Sequence, residues 1–299
     1  MTAVVALGGN AVLRAGDRGT AAEQRARIRE TCAAVAPLLE GHVVLTHGNG
    51  PQVGNELLRQ ERAAAEVPAL PLYLAVAQTQ AEIGALLATE LDASARQAAC
   101  VLTHVLVAED DPAFERPSKP IGPFYERSRA RELEQERGWT MVEDAGRGWR
   151  RAVPSPVPLE IVELDVVRTL LASGVVAIAC GGGGIPVARR DGRLDGIDAV
   201  IDKDRASALL GAALGADRLV ILTDVPALMR DYGTADEEPI VAISGSEADK
   251  LLPHLPAGSM RPKLEAAVAF ARAGGEALIT STESLADALA GRAGTRITA

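Results

Sequence analysis

Short apolar runs alternate with longer stretches of helical spacing along the chain. Ala3–Leu7 predicts a first strand ending in Gly8-Gly9-Asn10, and Ala21–Leu39 predicts a helix that stops near Gly41. Val43–Thr46 predicts a second strand, followed by the loop His47-Gly48-Asn49-Gly50-Pro51 and a helix from about Gln52. Tyr73–Leu91, rich in Ala and Leu, predicts a helix, and Ala98–Val107 a strand. Further on the expected order is helix Leu159–Ala172, strand Val175–Ala179, the glycine run Gly181–Gly184, and a helix from about Asp204 to Leu214. Strand Leu219–Leu222, a helix from about Pro262 to Ala273 and a final strand Ala277–Thr280 complete it. This alternation predicts an α/β fold with a largely parallel sheet.

Between residues 110 and 158 the texture changes. Seven of the 17 prolines (112, 117, 120, 123, 154, 156 and 158), both tryptophans (Trp139, Trp149) and two of the three phenylalanines (Phe114, Phe124) fall there. A segment of that length with its own aromatics predicts an inserted subdomain rather than a structureless loop.

Composition narrows the class. With 299 residues the chain holds one large domain or two modest ones, and at 3% aromatic content its core must be built from Ala, Val, Leu and Ile. A net charge of -9 argues against a nucleic-acid partner. Apolar runs such as Val175–Cys180 are far shorter than the ~20 residues of a membrane helix. Met1 leads straight into an apolar run with no basic leader or cleavage site, so a soluble, cytoplasmic chain is expected. Cys32, Cys100 and Cys180 are too few for a disulfide framework, and the four histidines form no metal-binding i, i+4 pair, so no metal site is expected.

The basic residues divide unevenly, 27 Arg to 4 Lys. Where Arg has replaced Lys wherever charge alone matters, the remaining lysines mark places that need a compact ammonium. Lys250 reads as a surface residue, whereas Lys119, Lys203 and Lys263 sit beside Pro or Asp in unusual local sequence. For Lys203 the bland reading is an exposed side chain beside a helix cap formed by Asp202 or Asp204. The functional reading is a cation aimed at phosphate and fixed by a neighbouring carboxylate. Three glycine turns, at Gly8-Gly9-Asn10, Gly48-Asn49-Gly50 and Gly181–Gly184, each follow an expected strand. Such turns let backbone N–H groups approach an anion, and three in one sheet point to a crevice at the carboxyl ends of the strands. No GxxxxGK[ST] occurs, and the nearest dinucleotide-like spacing, Gly48–Gly54, is off by one and carries a proline. Glycine turns and lysines together look like clamps for phosphoryl transfer.

The segments carrying these residues are ALGGNA (6–11), HGNGPQVG (47–54), Thr79-Gln80, KPIGPF (119–124), EDAGRGWR (143–150), VPSP (153–156), CGGGGIPV (180–187), AVIDKD (199–204), Gly258-Ser259-Met260 and Pro262-Lys263. In this order, and over essentially the whole chain, they resemble the carbamate kinases of the amino acid kinase family. KPIGPF and EDAGRGW separate carbamate kinases from other members. The resemblance implies a single domain over residues 1–299, a three-layer αβα sandwich with a mainly parallel central sheet. A small protruding subdomain, inserted over 110–158, would cover the acceptor site. It implies reversible transfer of the γ-phosphoryl group of ATP to carbamate, giving carbamoyl phosphate and ADP, with Mg2+ carried by the nucleotide. Gly8, Gly9, Asn10, Gly48, Asn49 and Gly50 would surround the phosphoryl group. Lys119, Lys203 and Lys263 would supply charge, with Asp204 orienting lysines. Gly181, Gly182, Thr223, Asp224, Tyr232 and Met260 would fall on the nucleotide side. A homodimer and the synthesis of ATP in arginine or purine catabolism are implied likewise. Arg261 and Pro226-Ala227 depart from the usual family text.

Two alternatives stand beside this reading. A kinase of another small carboxylate would need a roomier acceptor site than the KPIG segment leaves. A non-catalytic nucleotide or carbamoyl-phosphate sensor would be marked by loss of a motif lysine, and all three are present.

Overall fold

The computed structural model describes residues 1–14, 16–94, 96–144, 148–234, 236–255 and 260–299, without the side chain of Asn10. Residues 145–147 of EDAGRGWR, Gly258-Ser259 and the Asn10 side chain therefore lie outside the described part.

The central sheet has eight strands, ordered Ala242–Ser244, Thr295–Thr298, Glu276–Ser281, Arg218–Thr223, Thr2–Leu7, His42–His47, Val176–Ile178 and Ala98–Cys100. The last six run parallel to one another, while the first two, parallel to each other, run against them. Successive side chains of a strand point to opposite faces, and here both faces are dry. Val4, Ala6, Val44, Leu219 and Ile221 join one core cluster, with Leu210, Leu264 and Phe270 from the helices Lys203–Leu214 and Met260–Arg272. Val5, Leu7, Leu45, Val220 and Leu222 join the other, with Ile28, Ile83 and Leu87 from the helices Ala21–Val35 and Leu72–Asp92. Helices on both faces of a mostly parallel sheet make a three-layer αβα sandwich, and each fully buried Val or Leu contributes roughly 1.5–3 kcal/mol. Phe270 is the largest fully buried side chain, as a core poor in aromatics requires.

The structure corrects several expected elements. Ala98–Val107 is two strands, Ala98–Cys100 in the central sheet and His104–Val107 in a second sheet. The break is held by Gln80, which accepts from the Thr103 N–H at 3.0 Å and donates to its carbonyl at 3.2 Å. Leu159–Ala172 divides into a strand, Pro158–Ile161, and a helix, Leu164–Ala172. Pairing with His104–Val107 outweighs the helical spacing of residues 159–161. Ala277–Thr280 lies within Glu276–Ser281, but it is not the last strand, since Thr295–Thr298 follows. The hairpin Ile185–Arg190 with Arg193–Gly196 had no counterpart in the sequence reading.

Between His104–Val107 and Pro158–Ile161, neighbours in the second sheet, the chain leaves the sandwich. Strands Lys119–Tyr125, Trp149–Val153 and Thr140–Glu143 form a separate antiparallel sheet backed by the helix Arg127–Arg137. Ala130, Leu133 and Met141 form its small core. Ile121 and Val153 seat it on Val53 and Leu72 of the main body.

Candidate active site

The carboxyl ends of the central strands open on one side, where crevices of α/β sheets form. Gly8 follows Thr2–Leu7, Gly48 follows His42–His47, and Thr223 ends Arg218–Thr223. A Cβ on Gly8 would stand 2.6 Å from the Leu222 carbonyl oxygen, so the first turn tolerates no side chain there. A Cβ on Gly48 would lie 3.8 Å from the Gly9 amide nitrogen and 3.9 Å from Lys203 Cδ, which places both turns against the stem of that lysine.

Two helices begin at this point, Gly50–Ala63 and Lys203–Leu214, and bring their unpaired N–H groups and positive ends with them. Asn49 caps the first by position, but its side chain turns away and donates from Nδ2 to Thr79 Oγ1 at 2.9 Å. Thr79 is fixed in turn by donating to the carbonyls of Ala75 and Val76. Asp202 caps the second, its Oδ1 accepting from the N–H groups of Asp204 at 2.9 Å and Arg205 at 3.3 Å. The capping reading was right for Asp202. The exposed-lysine half of it was not, because the Lys203 side chain is only 11% exposed.

Three lysines and two carboxylates interlock here. Asp204 holds Lys203 Nζ on Oδ1 and Lys263 Nζ on Oδ2, the latter at 3.1 Å. Lys119, at the start of the protruding sheet, donates to Asp202 Oδ2 at 2.7 Å. One positive charge is left over. Burial opposes ionisation of both aspartates, yet the lysines outweigh it and hold the two carboxyls below the usual range. Burial lowers the Lys203 pKa despite Asp204, whereas for Lys263 the pull of Asp204 overcomes burial and raises it.

Thr223, Asp224, Tyr232, Met260 and Lys263 line one cleft of about 350 Å3. A smaller hollow joins Thr223 and Asp224 to Gly8 and Arg14, so the cleft runs back to the first glycine turn. Arg261 faces elsewhere, donating to the carbonyls of Leu255 at 2.8 Å and Pro253 at 3.2 Å. The Pro226 carbonyl accepts from Thr280 Oγ1 at 3.1 Å.

Gly181 and Gly182 are not among the residues lining this cleft. A Cβ on Gly181 would meet His47 Nε2 at 2.3 Å, and one on Gly182 would meet Asn49 Nδ2 at 2.2 Å, with φ +64° at Gly182. They pack the floor beneath the second turn. His47, missed as a site residue, is buried there with Nε2 unpartnered, and burial brings its pKa down to about 4. Asp202 and Thr79 were also missed as positioning groups, although both lie in quoted segments. No spacing rule pairs Lys119 with a carboxylate 83 residues away. Among the described residues no three His, Cys, Asp or Glu side chains gather as a metal site.

The sequence profile of the Amino acid kinase family matches residues 1–281. The chain belongs to the amino acid kinase family. Within that family it stands among the carbamate kinases and is a phosphotransferase. Carbamate kinase of Thermococcus kodakarensis is 43% identical over 308 aligned positions, covering 98% of each chain. That of Trichomonas vaginalis is 43% identical over 311, covering 99% of each. The solved structure of carbamate kinase from Giardia lamblia bound to AMP-PNP superposes with a TM-score of 0.92 at 41% identity, over 99% of this chain and 98% of that one. No helix among the described residues is long and apolar enough to cross a membrane.

Proposed function

We propose that this amino acid kinase transfers the γ-phosphoryl group of ATP to carbamate, reversibly, giving carbamoyl phosphate and ADP. The observation that carries the reading is the cluster of Lys119, Lys203 and Lys263 on Asp202 and Asp204, set against the Gly9 and Gly48 turns. Carbamate is already an anion, so its oxygen attacks phosphorus without a general base. The obstacle is repulsion between two anions, and preorganised ammonium groups and backbone donors lower it. Gly8, Gly9, Asn10, Gly48, Asn49 and Gly50 surround the transferred group in this proposal. Lys119 and Lys203 act from the acceptor side and Lys263 from the nucleotide side, where Thr223, Asp224, Tyr232 and Met260 receive ADP or ATP. Mg2+ arrives with the nucleotide phosphates and neutralises charge there.

The protruding unit over 110–158 covers the acceptor and limits it to a small molecule. The chain works as a cytoplasmic homodimer and runs toward ATP in arginine or purine breakdown. The test is ATP formation from ADP, carbamoyl phosphate and Mg2+ in a coupled assay, with acetyl phosphate as control. ATP formed from carbamoyl phosphate alone supports the proposal, and equal use of acetyl phosphate or no turnover overturns it.

A further inference from the structure

Another cavity, of about 130 Å3, lies where the protruding sheet meets the outer turns of the Gly50–Ala63 helix. Its lining includes none of Lys119, Lys203 and Lys263. Leu57, Leu70, Ile121, Pro123 and Trp139 give it apolar walls. Most of its polar groups are spent on one another. Glu61 accepts from Tyr125 Oη at 3.0 Å and pairs with Arg137 at 3.5 Å. Burial, reinforced by Glu61, pushes the Tyr125 hydroxyl up to about 12, so it remains a donor. Gln60 donates to Glu56 and accepts from the Leu70 N–H.

Arg151 is the exception. Its guanidinium lies 4.6 Å from the centre of the Trp139 ring, and that ring contact is its one direct partner among the described residues. Burial lowers the Arg151 pKa, opposed by the charges of Asp198 and Tyr125 and reinforced by that of Arg137. The free N–H donors of Arg151 form a planar fork that fits a carboxylate through two parallel hydrogen bonds. A phosphate dianion fits the apolar walls poorly, because it would lose hydration without enough donors to replace it. The volume approaches the about 150 Å3 that accommodates a benzene-sized molecule.

We propose that this cavity is a binding site for a short aliphatic carboxylate, with Arg151 gripping the carboxylate and the hydrocarbon lying between Leu57, Ile121 and Trp139. Occupancy ties the strand that carries Lys119 to the helix that begins at Gly50, so the site is placed to act on the acceptor region without sharing its residues.

Both tryptophans of the chain, Trp139 and Trp149, belong to the protruding sheet and its approach, so intrinsic fluorescence reads this site directly. The experiment titrates the full chain with propionate, isobutyrate, isovalerate and hexanoate, and with the matching neutral amides. The expected result is a saturable emission change with the carboxylates and an affinity for the amides lower by about tenfold or more, the worth of a charge-assisted hydrogen bond. Arg151→Met abolishes the change. Because that substitution also alters the Trp139 environment, Ala69→Phe provides a second test: it fills the cavity from an exposed segment, keeps Arg151 and blocks binding too. No saturable change in the unsubstituted protein, equal affinity for acid and amide, or undiminished binding in either variant overturns the proposal.

Discussion

Lys203 shows what a single residue contributes. Its ammonium is buried and held by Asp204, so it cannot swing into water, and it stands beside both glycine turns. Lys203→Ala is expected to lower kcat by about 100-fold or more, the usual cost of losing a preorganised electrostatic group, while the thermal unfolding transition persists. Turnover near that of the parent enzyme would remove Lys203 from the mechanism. His47 makes a prediction about stability. Its folded pKa of about 4 lies below the ordinary 6.5, so the unfolded chain binds the proton more readily. Stability from keeping His47 neutral is therefore complete above about pH 6.5 and is lost as pH falls toward 4, on the order of 3 kcal/mol in all. Urea unfolding at pH 7 and pH 5 should show the fall, and His47→Gln should shrink it. These lysines could be singled out in the sequence because the chain has so few. His47 could not, since its burial depends on the approach of Gly181 from a distant segment.

At the scale of the element, the helix Lys203–Leu214 does two jobs through the residue before it. Asp202 caps the helix with one oxygen and pairs with Lys119 through the other. The two jobs are separable. Asp202→Asn retains an oxygen acceptor for the cap and loses the charge, so folding stability should change little while turnover of carbamoyl phosphate falls. Asp202→Ala loses both, and should cost about 1 kcal/mol more in urea unfolding. Equal turnover in Asp202→Asn and the parent would show that the ion pair has no part in activity. The cap was legible from the Ile201-Asp202-Lys203-Asp204 text. The ion pair was not, because the other partner begins a strand of a different sheet. Expected elements failed for the same kind of reason. Residues 159–161 have helical spacing yet pair as a strand, because a neighbouring strand outweighs local preference.

For the whole molecule, the protruding unit joins the main chain through two adjacent connections, while Ile121 and Val153 seat it on Val53 and Leu72. Ser118 N–H donates to the Val153 carbonyl at 3.2 Å, so the unit's two ends lie together. Neither of the two large core clusters contains a residue of 119–153. Replacing 119–153 with a short glycine-containing linker is therefore expected to leave cooperative unfolding and nucleotide binding in place, measured by calorimetry. Synthesis of ATP from carbamoyl phosphate should disappear with Lys119. Loss of nucleotide binding in the folded variant would mean that the unit serves the nucleotide side as well.

The alternation of strands and helices that builds the main sandwich, the three glycine turns and the singular lysines were legible in the sequence alone, because hydrophobic period, glycine and rare charge are local signals. The Lys119–Asp202 pair, the seat of Gly181 and Gly182 beneath Asn49, the division of residues 98–107 between two sheets and the cavity under Arg151 were decided by tertiary structure. Each joins segments far apart in the chain. Which partner a buried charge or a bare Cα meets depends on packing that no single stretch of sequence encodes.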